Sequence, residues 1–187
     1  QKMLSGADSL LALVNDLLDM SRIQAGKFHL DPQVVYFQDI ATEVVGSLSP
    51  LAERKHQLLT NAISDELPVL VADRQRVAQI LVNLVNNAIK FTPEHGAITL
   101  RARIEHDALR CEVIDTGIGI AREDMGKLFR PFSQIDASST RSASGTGLGL
   151  SIVKALVQAH GGQVGVDSAK DAGSTFWFTL PLTQEDC

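Results

Sequence analysis

No stretch of this sequence approaches the ~20 apolar residues needed to span a membrane. Gln1 to Leu10 has no basic start leading into an apolar run, so no secretory signal opens it. Cysteine is scarce: Cys111 and Cys187 are the only two. They lack metal-ligand spacing and one is the last residue, so they read as free thiols of a reducing compartment. A basic excess is also missing. Lys and Arg number 17 against 22 Asp and Glu, a net charge of −5. That argues against a general nucleic-acid binder, yet leaves room for a local basic site for phosphate. No internal repeat is present. None of the five histidines (His29, His56, His95, His106, His160) pairs with another His, a Cys or an acid at metal-like spacing. All five read as structural or surface residues, and His160, before Gly161-Gly162, suits a helix end as a cation. Neither a nucleophile-elbow serine nor a Cys–His dyad signature appears.

What is there is an ordinary soluble composition, long enough at 187 residues for one domain with a core, or one domain plus an appendage. Leu4, Ala7, Leu11, Val14 and Leu18 recur at spacings of three and four, which predicts a helix over 1–24 that wants another helix against it. The chain starts inside that pattern, as a piece of a longer protein would. A second amphipathic helix follows from Phe37 to Ala52, with Pro50 expected to kink it. Residues 57–63 and 69–72 read as short strands around a turn at 64–68. Asp73 is a plausible N-cap for a helix over 74–91. Residues 97–105 and 109–115 alternate as a strand pair joined by His106-Asp107. Residues 122–129 suit a short helix, and 133–147 a Ser-, Gly- and Thr-rich loop. A helix over 149–160 and two strands, 163–168 and 174–180, complete the order. Strands in adjacent pairs predict an α/β two-layer sandwich: a mixed, mostly antiparallel sheet with helices on one face.

Three segments carry chemistry. On the helix over 74–91, Asn83, Asn87 and Lys90 share one narrow stripe off the apolar face of Val77, Ile80, Leu81, Leu84, Val85 and Ala88. Asn is a poor helix former, yet 83–87 holds three. A carboxamide oxygen can ligate Mg2+ and an ammonium can meet phosphate; a polar face bonding to neighbouring loops has the same pattern. Next, Asp115-Thr116-Gly117-Ile118-Gly119 delivers a carboxylate at a strand end before a tight turn. Asp115 can accept from an adenine amino group, or the segment is an ordinary strand-ending turn. Third, Gly145-Thr146-Gly147-Leu148-Gly149-Leu150 runs into a helix N-terminus, where backbone N–H groups and the helix dipole attract an anion. It is neither a Walker A loop nor a dinucleotide fingerprint; a flexible hinge is the plainer reading. Phe129 and Phe132 flank Pro131 and can anchor a lid. Arg141 in that loop can reach a terminal phosphate, or is simply solvated.

In this order, the segments resemble the catalytic domain of sensor histidine kinases, in the ATPase superfamily shared with gyrase, the Hsp90 chaperones and the MutL repair proteins. The resemblance covers about residues 33–182. Asn83 to Thr92 resembles the family's N box, and Asp115 to Gly119 the first glycine box. Phe129-Arg130-Pro131-Phe132 resembles the F box, Gly145 to Leu150 the second glycine box, and Gly173-Ser174-Thr175 the final Gly-x-Thr element beside adenine. The resemblance implies ATP and Mg2+ as ligands. Asn87 would hold the metal, with Asn83 in the same polar cluster, and Lys90 would meet phosphate. Asp115 would hold the adenine amino group, helped by Thr175 through a water. Gly117 and Gly119 would let the nucleotide approach closely. Gly145, Thr146, Gly147, Leu148 and Gly149 would cradle phosphates, while 122–146, with Phe132 and Arg141 in or beside the pocket, would form the lid.

Residues 1–27 resemble the end of the dimerisation hairpin, leaving 28–187 as the ATP-binding domain. The family's His-Glu-x-x-x-Pro acceptor motif is absent, so no autophosphorylation at the usual site is expected. Ser144 stands where many relatives carry glycine. ATP-hydrolysing relatives place a Glu at the first N-box position as a general base; neutral Asn83 favours transfer to a histidine instead. A nucleotide-binding scaffold or an ATPase of the same superfamily is the alternative, and the hairpin-like helix argues against an anti-sigma-factor kinase. The expected partners are ATP, the phosphoacceptor hairpin of a homodimeric parent and a response-regulator receiver domain. The expected location is the cytoplasm, whether or not the parent is membrane-anchored.

Overall fold

The computed structural model describes Val14, Leu17, Leu18, Ser21 and residues 28–133 and 147–182. Those first four residues are helical and exposed. The rest of the expected first helix, and with it the 1–27 unit as a whole, lies outside the described residues.

The described fold runs β1 (Gln33–Val35), α1 (Phe37–Glu53), β2 (Leu58–Asn61), β3 (Leu70–Ala72), α2 (Arg74–Phe91), β4 (Ala97–Glu105) and β5 (Ala108–Asp115). A three-residue 3-10 turn (Met125–Lys127), α3 (Gly149–Ala159), β6 (Val164–Ser168) and β7 (Ser174–Pro181) follow. α2 begins where its cap predicts: Asp73 Oδ1 accepts the Arg76 N–H at 3.1 Å. The predicted apolar face of α2 is buried, with Ile89 added to it. α3 ends at His160, followed by Gly161 at φ 76°, the left-handed stop that glycine adopts without strain.

Five strands form the main sheet in the order β2-β4-β5-β7-β6. Only β2 and β4 are parallel; the other three pairings are antiparallel. The mixed, mostly antiparallel sheet expected from the sequence is therefore present, and three helices pack on it. Ile98, Leu100, Leu109, Cys111, Val113, Phe176, Phe178 and Leu180 point into the helical layer and are buried with it. Phe37 at the start of α1 meets Phe178, ring centres 6.3 Å apart. Cys111 lies mid-strand in this core, and burial pushes its thiol far up from the ordinary value. The other face is polar: Glu112 bridges Arg103 at 2.8 Å and Arg110 at 2.9 Å, and Arg110 lies 4.1 Å from the Trp177 ring centre.

Several expectations need correction. Pro50 does not interrupt its helix; α1 continues to Glu53. The N–H that Pro50 lacks would have served the Gly46 carbonyl, and Gly46 is exposed to water. Residues 57–63 and 69–72 do not form a pair. β2 lies beside β4, a parallel neighbour that needs a crossover, and α2 supplies it. β3 instead pairs with β1, Val34 opposite Val71, a strand the sequence reading missed. The expected helix over 122–129 shrinks to the 3-10 turn.

Candidate functional site

α2, the end of β5 and the start of α3 converge. Asn83, Asn87 and Lys90 are half-buried on one side of α2, off its core stripe. Asn83 Nδ2 donates to the Gln79 carbonyl at 3.1 Å, which leaves Oδ1 directed away from the helix backbone. A Cβ on Gly149 would stand 3.0 Å from that oxygen, so glycine lets α3 begin against Asn83. The Lys90 ammonium sits 4.8 Å from the Phe91 ring centre. Burial pushes its pKa down from the ordinary lysine value.

Asp115 ends β5 and is buried. Its Oδ1 accepts the Gly117 N–H at 2.7 Å. Burial pushes the carboxyl up from its ordinary value, and the backbone N–H groups of Gly117 and Ser174 partly hold it down. A Cβ on Gly117 would lie 2.5 Å from Asp115 Oδ1 and 2.8 Å from the Phe91 carbonyl oxygen, so the turn closes only around glycine. Gly119 has φ 64°, and a Cβ there would run into the Ala169 carbonyl oxygen.

Across the ladder, Asp115 faces Ser174, not Thr175. Thr175 pairs with Ile114 and Asp167 on the sheet face away from the helices. Successive strand residues alternate faces, so Thr175 and Asp115 point to opposite faces of the sheet and Ser174 is the residue beside Asp115. The parity was legible: Phe176 and Phe178 belong to the core side, and counting back by two reaches Ser174. Its hydroxyl lies 3.0 Å from Ser168 Oγ. Ser168 gives its proton to the Gly173 carbonyl at 2.7 Å and accepts the Ile120 N–H at 2.9 Å. Ser174 is thus the donor in the serine pair.

Gly147 sits at φ 71° with the Phe132 carbonyl carbon 2.9 Å from where its Cβ would be, and the Phe132 N–H donates to the Gly147 carbonyl at 3.0 Å. Phe132 is itself left-handed, φ 58°, with an exposed ring. The Leu148 side chain is buried in the core, so a ligand meets only its backbone. Arg141, Gly145 and Thr146 lie outside the described residues.

Two histidine findings go beyond the sequence reading. His160 is no helix-end cation: its Nε2 accepts the Asp73 N–H at 3.1 Å and its Nδ1 donates to the Leu156 carbonyl at 2.8 Å. Burial lowers its pKa from the ordinary value and keeps it neutral. His56 and His95, both exposed, stack with ring centres 5.3 Å apart. An open cleft of about 500 Å³ lies beside the glycine turn, lined by Ile120, Ala121, Arg122, Met125 and residues 168–170. Asn83, Asn87, Lys90 and Asp115 do not line it.

Residues 72–184, which carry Asn83, Asn87, Lys90, Asp115 and Ser174, match the family described as histidine kinase-, DNA gyrase B-, and HSP90-like ATPase. The chain belongs to this ATPase family. Several of its relatives are named as sensor or histidine kinases. The sensor histidine kinase GacS of Pseudomonas protegens is 44% identical over 188 residues, covering 96% of this chain and 20% of that protein. The non-motile and phage-resistance protein of Caulobacter vibrioides is 40% identical over 186 residues, covering 97% of this chain and 22% of its own length. This chain thus spans about a fifth of those relatives. Full-length ShkA, solved in complex with AMPPNP, superimposes with a TM-score of 0.85 at 36% identity, covering 98% of this chain and 38% of that one. The chain is a histidine-kinase ATP-binding catalytic domain. Among the described residues no helix is long and apolar enough to cross a membrane.

Proposed function

We propose that this ATPase-family domain binds Mg-ATP and presents the γ-phosphate to a histidine on the parent's hairpin. The observation that carries the reading is the buried Asp115 carboxylate beside a turn that only Gly117 and Gly119 can make, with the Asn83–Asn87–Lys90 stripe next to it. Two backbone N–H groups leave the carboxylate with acceptor capacity for an adenine amino group. Ser174 stands beside it and can hold a water against the base. The Lys90 ammonium, whose pKa burial pushes down from the ordinary lysine value, meets phosphate charge. The backbone N–H groups opening α3 add to that.

The donor set also fits Mg2+. This hard cation favours neutral and anionic oxygen donors and needs few of them from the protein. Asn87 would supply the protein oxygen. When bound, the metal would neutralise phosphate charge. The chain's own residues do the rest: Asp115 orients the base, Lys90 the phosphates, and neutral Asn83 offers no base to activate water. In the transfer, the γ-phosphorus parts from the bridging oxygen of ADP and bonds to an imidazole nitrogen. The phosphate then passes to a receiver-domain aspartate. A homodimeric parent with this domain in the cytoplasm suits that relay.

Calorimetric titration of Mg-ATP into wild type, Asn87→Ala and Asp115→Ala tests the pocket. Micromolar-to-millimolar binding weakened by both substitutions supports it. Adding an acceptor hairpin in trans then tests transfer. A folded wild type that binds no ATP makes the domain a scaffold.

A further inference from the structure

The end of α2 that carries Lys90 is held from outside the site by one ammonium group. Lys55, in the turn after α1, donates through Nζ to the carbonyls of Ile89 at 2.6 Å, Lys90 at 3.3 Å and Thr92 at 2.7 Å. Gln57 Nε2 reaches Ile89 at 3.0 Å, Thr92 at 2.6 Å and Pro93 at 3.3 Å. A helix end leaves its last carbonyls without intrahelical donors, and a cation there also meets the negative pole of the dipole. Lys90 is the only basic residue in the last turn of α2. Its ammonium lies over Phe91 rather than at these carbonyls. Lys55 takes the capping role and releases Lys90 from it.

The same turn touches the adenine side. The Phe91 carbonyl accepts the Ile118 N–H at 3.4 Å and abuts Gly117, whose own N–H goes to Asp115 Oδ1. The carbonyls of residues 89, 90 and 92, which Lys55 grips, therefore bracket the one that supports the glycine turn.

We propose that Lys55 is a positioning residue for nucleotide binding. Its ammonium fixes the last turn of α2, so that Lys90 and the Asp115–Gly117 turn hold one geometry, although it touches no ligand itself. This rests on the ATP-binding reading above. Gln57 shares two of the three carbonyls, so the helix end keeps a cap when Lys55 is replaced.

The test compares wild type, Lys55→Met and Lys55→Arg. Mg-ATP affinity is measured by calorimetry, and backbone amide resonances by NMR without nucleotide. Charge-assisted bonds of this kind predict a Kd raised about tenfold in Lys55→Met and mostly recovered in Lys55→Arg. The amides of Gly117 and Ile118 should also shift in the nucleotide-free Met variant. A Met variant that melts earlier yet binds ATP within about twofold of wild type overturns the proposal, because the role is then only structural. So does an affinity loss that Arg leaves unrepaired. If Lys55→Met does not fold, Lys55→Gln is read by the same criteria. A wild type that binds no ATP removes the ATP reading instead. The Gly117 and Ile118 amides then decide whether Lys55 positions the turn.

Discussion

His160 and Asp73 join the two helices that frame the site, the imidazole Nε2 at the end of α3 accepting the backbone N–H at the start of α2, 3.1 Å away. The bond exists only while the imidazole is neutral at Nε2. Its folded pKa is depressed from 6.5, chiefly by burial, so the unfolded chain binds the proton more readily. Stability from this contact is complete above the unfolded value and falls as pH drops below it. The melting temperature is expected to fall between pH 7 and pH 5. His160→Leu should lose about 1–3 kcal/mol at pH 7, because the Asp73 N–H is left buried without an acceptor. It should also flatten the pH dependence. A variant that melts like wild type at every pH would sink this account.

Asp115 moves the opposite way. Its folded pKa is raised above 3.8, again chiefly by burial. The ionised carboxylate therefore costs stability at neutral pH, and stability is regained as pH falls through the folded value. ATP affinity should be lost over that same interval as the acceptor gains a proton. Asp115→Asn is expected to melt no lower than wild type at pH 7 while weakening ATP by about 1.5–3 kcal/mol. Thermal melts and calorimetry on one sample read both; a loss of stability with affinity intact contradicts the role.

Ser174 and Thr175 can be separated directly. Ser174→Ala removes the hydroxyl beside Asp115 and should weaken ATP by about 0.5–1.5 kcal/mol. Thr175→Ala lies on the far face and should leave affinity within error. The reverse ranking would mean that the strand parity does not decide the contact.

Gly119→Ala meets two obstacles, a left-handed φ of 64° and the Ala169 carbonyl oxygen. A loss of more than about 1 kcal/mol in denaturant unfolding is expected. ATP affinity should fall too, since the turn must shift. Gly126→Ala is the control, with open space around its Cβ position.

Legibility followed period and length. α2 announced itself through an Asp cap and a seven-residue buried stripe, and β4 and β5 through long alternation. β1 has three residues, too few for alternation to register, and β3, although legible as a strand, pairs with it across an intervening helix and strand. β2 was visible as a strand but not its partner, because a parallel neighbour is chosen by the crossover rather than by a turn. In the site, Asp115 and the N-box stripe were readable from residue type and spacing. The neutral role of His160 was not, since its partner lies 87 residues away. Nor was Lys55, whose three acceptors are backbone atoms that no sequence pattern marks.

Cys111, locked mid-sheet with its thiol pushed far from ionisation, gives the domain a built-in clock. A thiol reagent can modify it only when the sheet opens, so the labelling rate of the peptide that contains it reports opening without any engineered labelling site. A bound nucleotide that stabilises the closed form should slow that clock in proportion to its saturation. The binding constant could then be read from a cysteine that never meets the ligand.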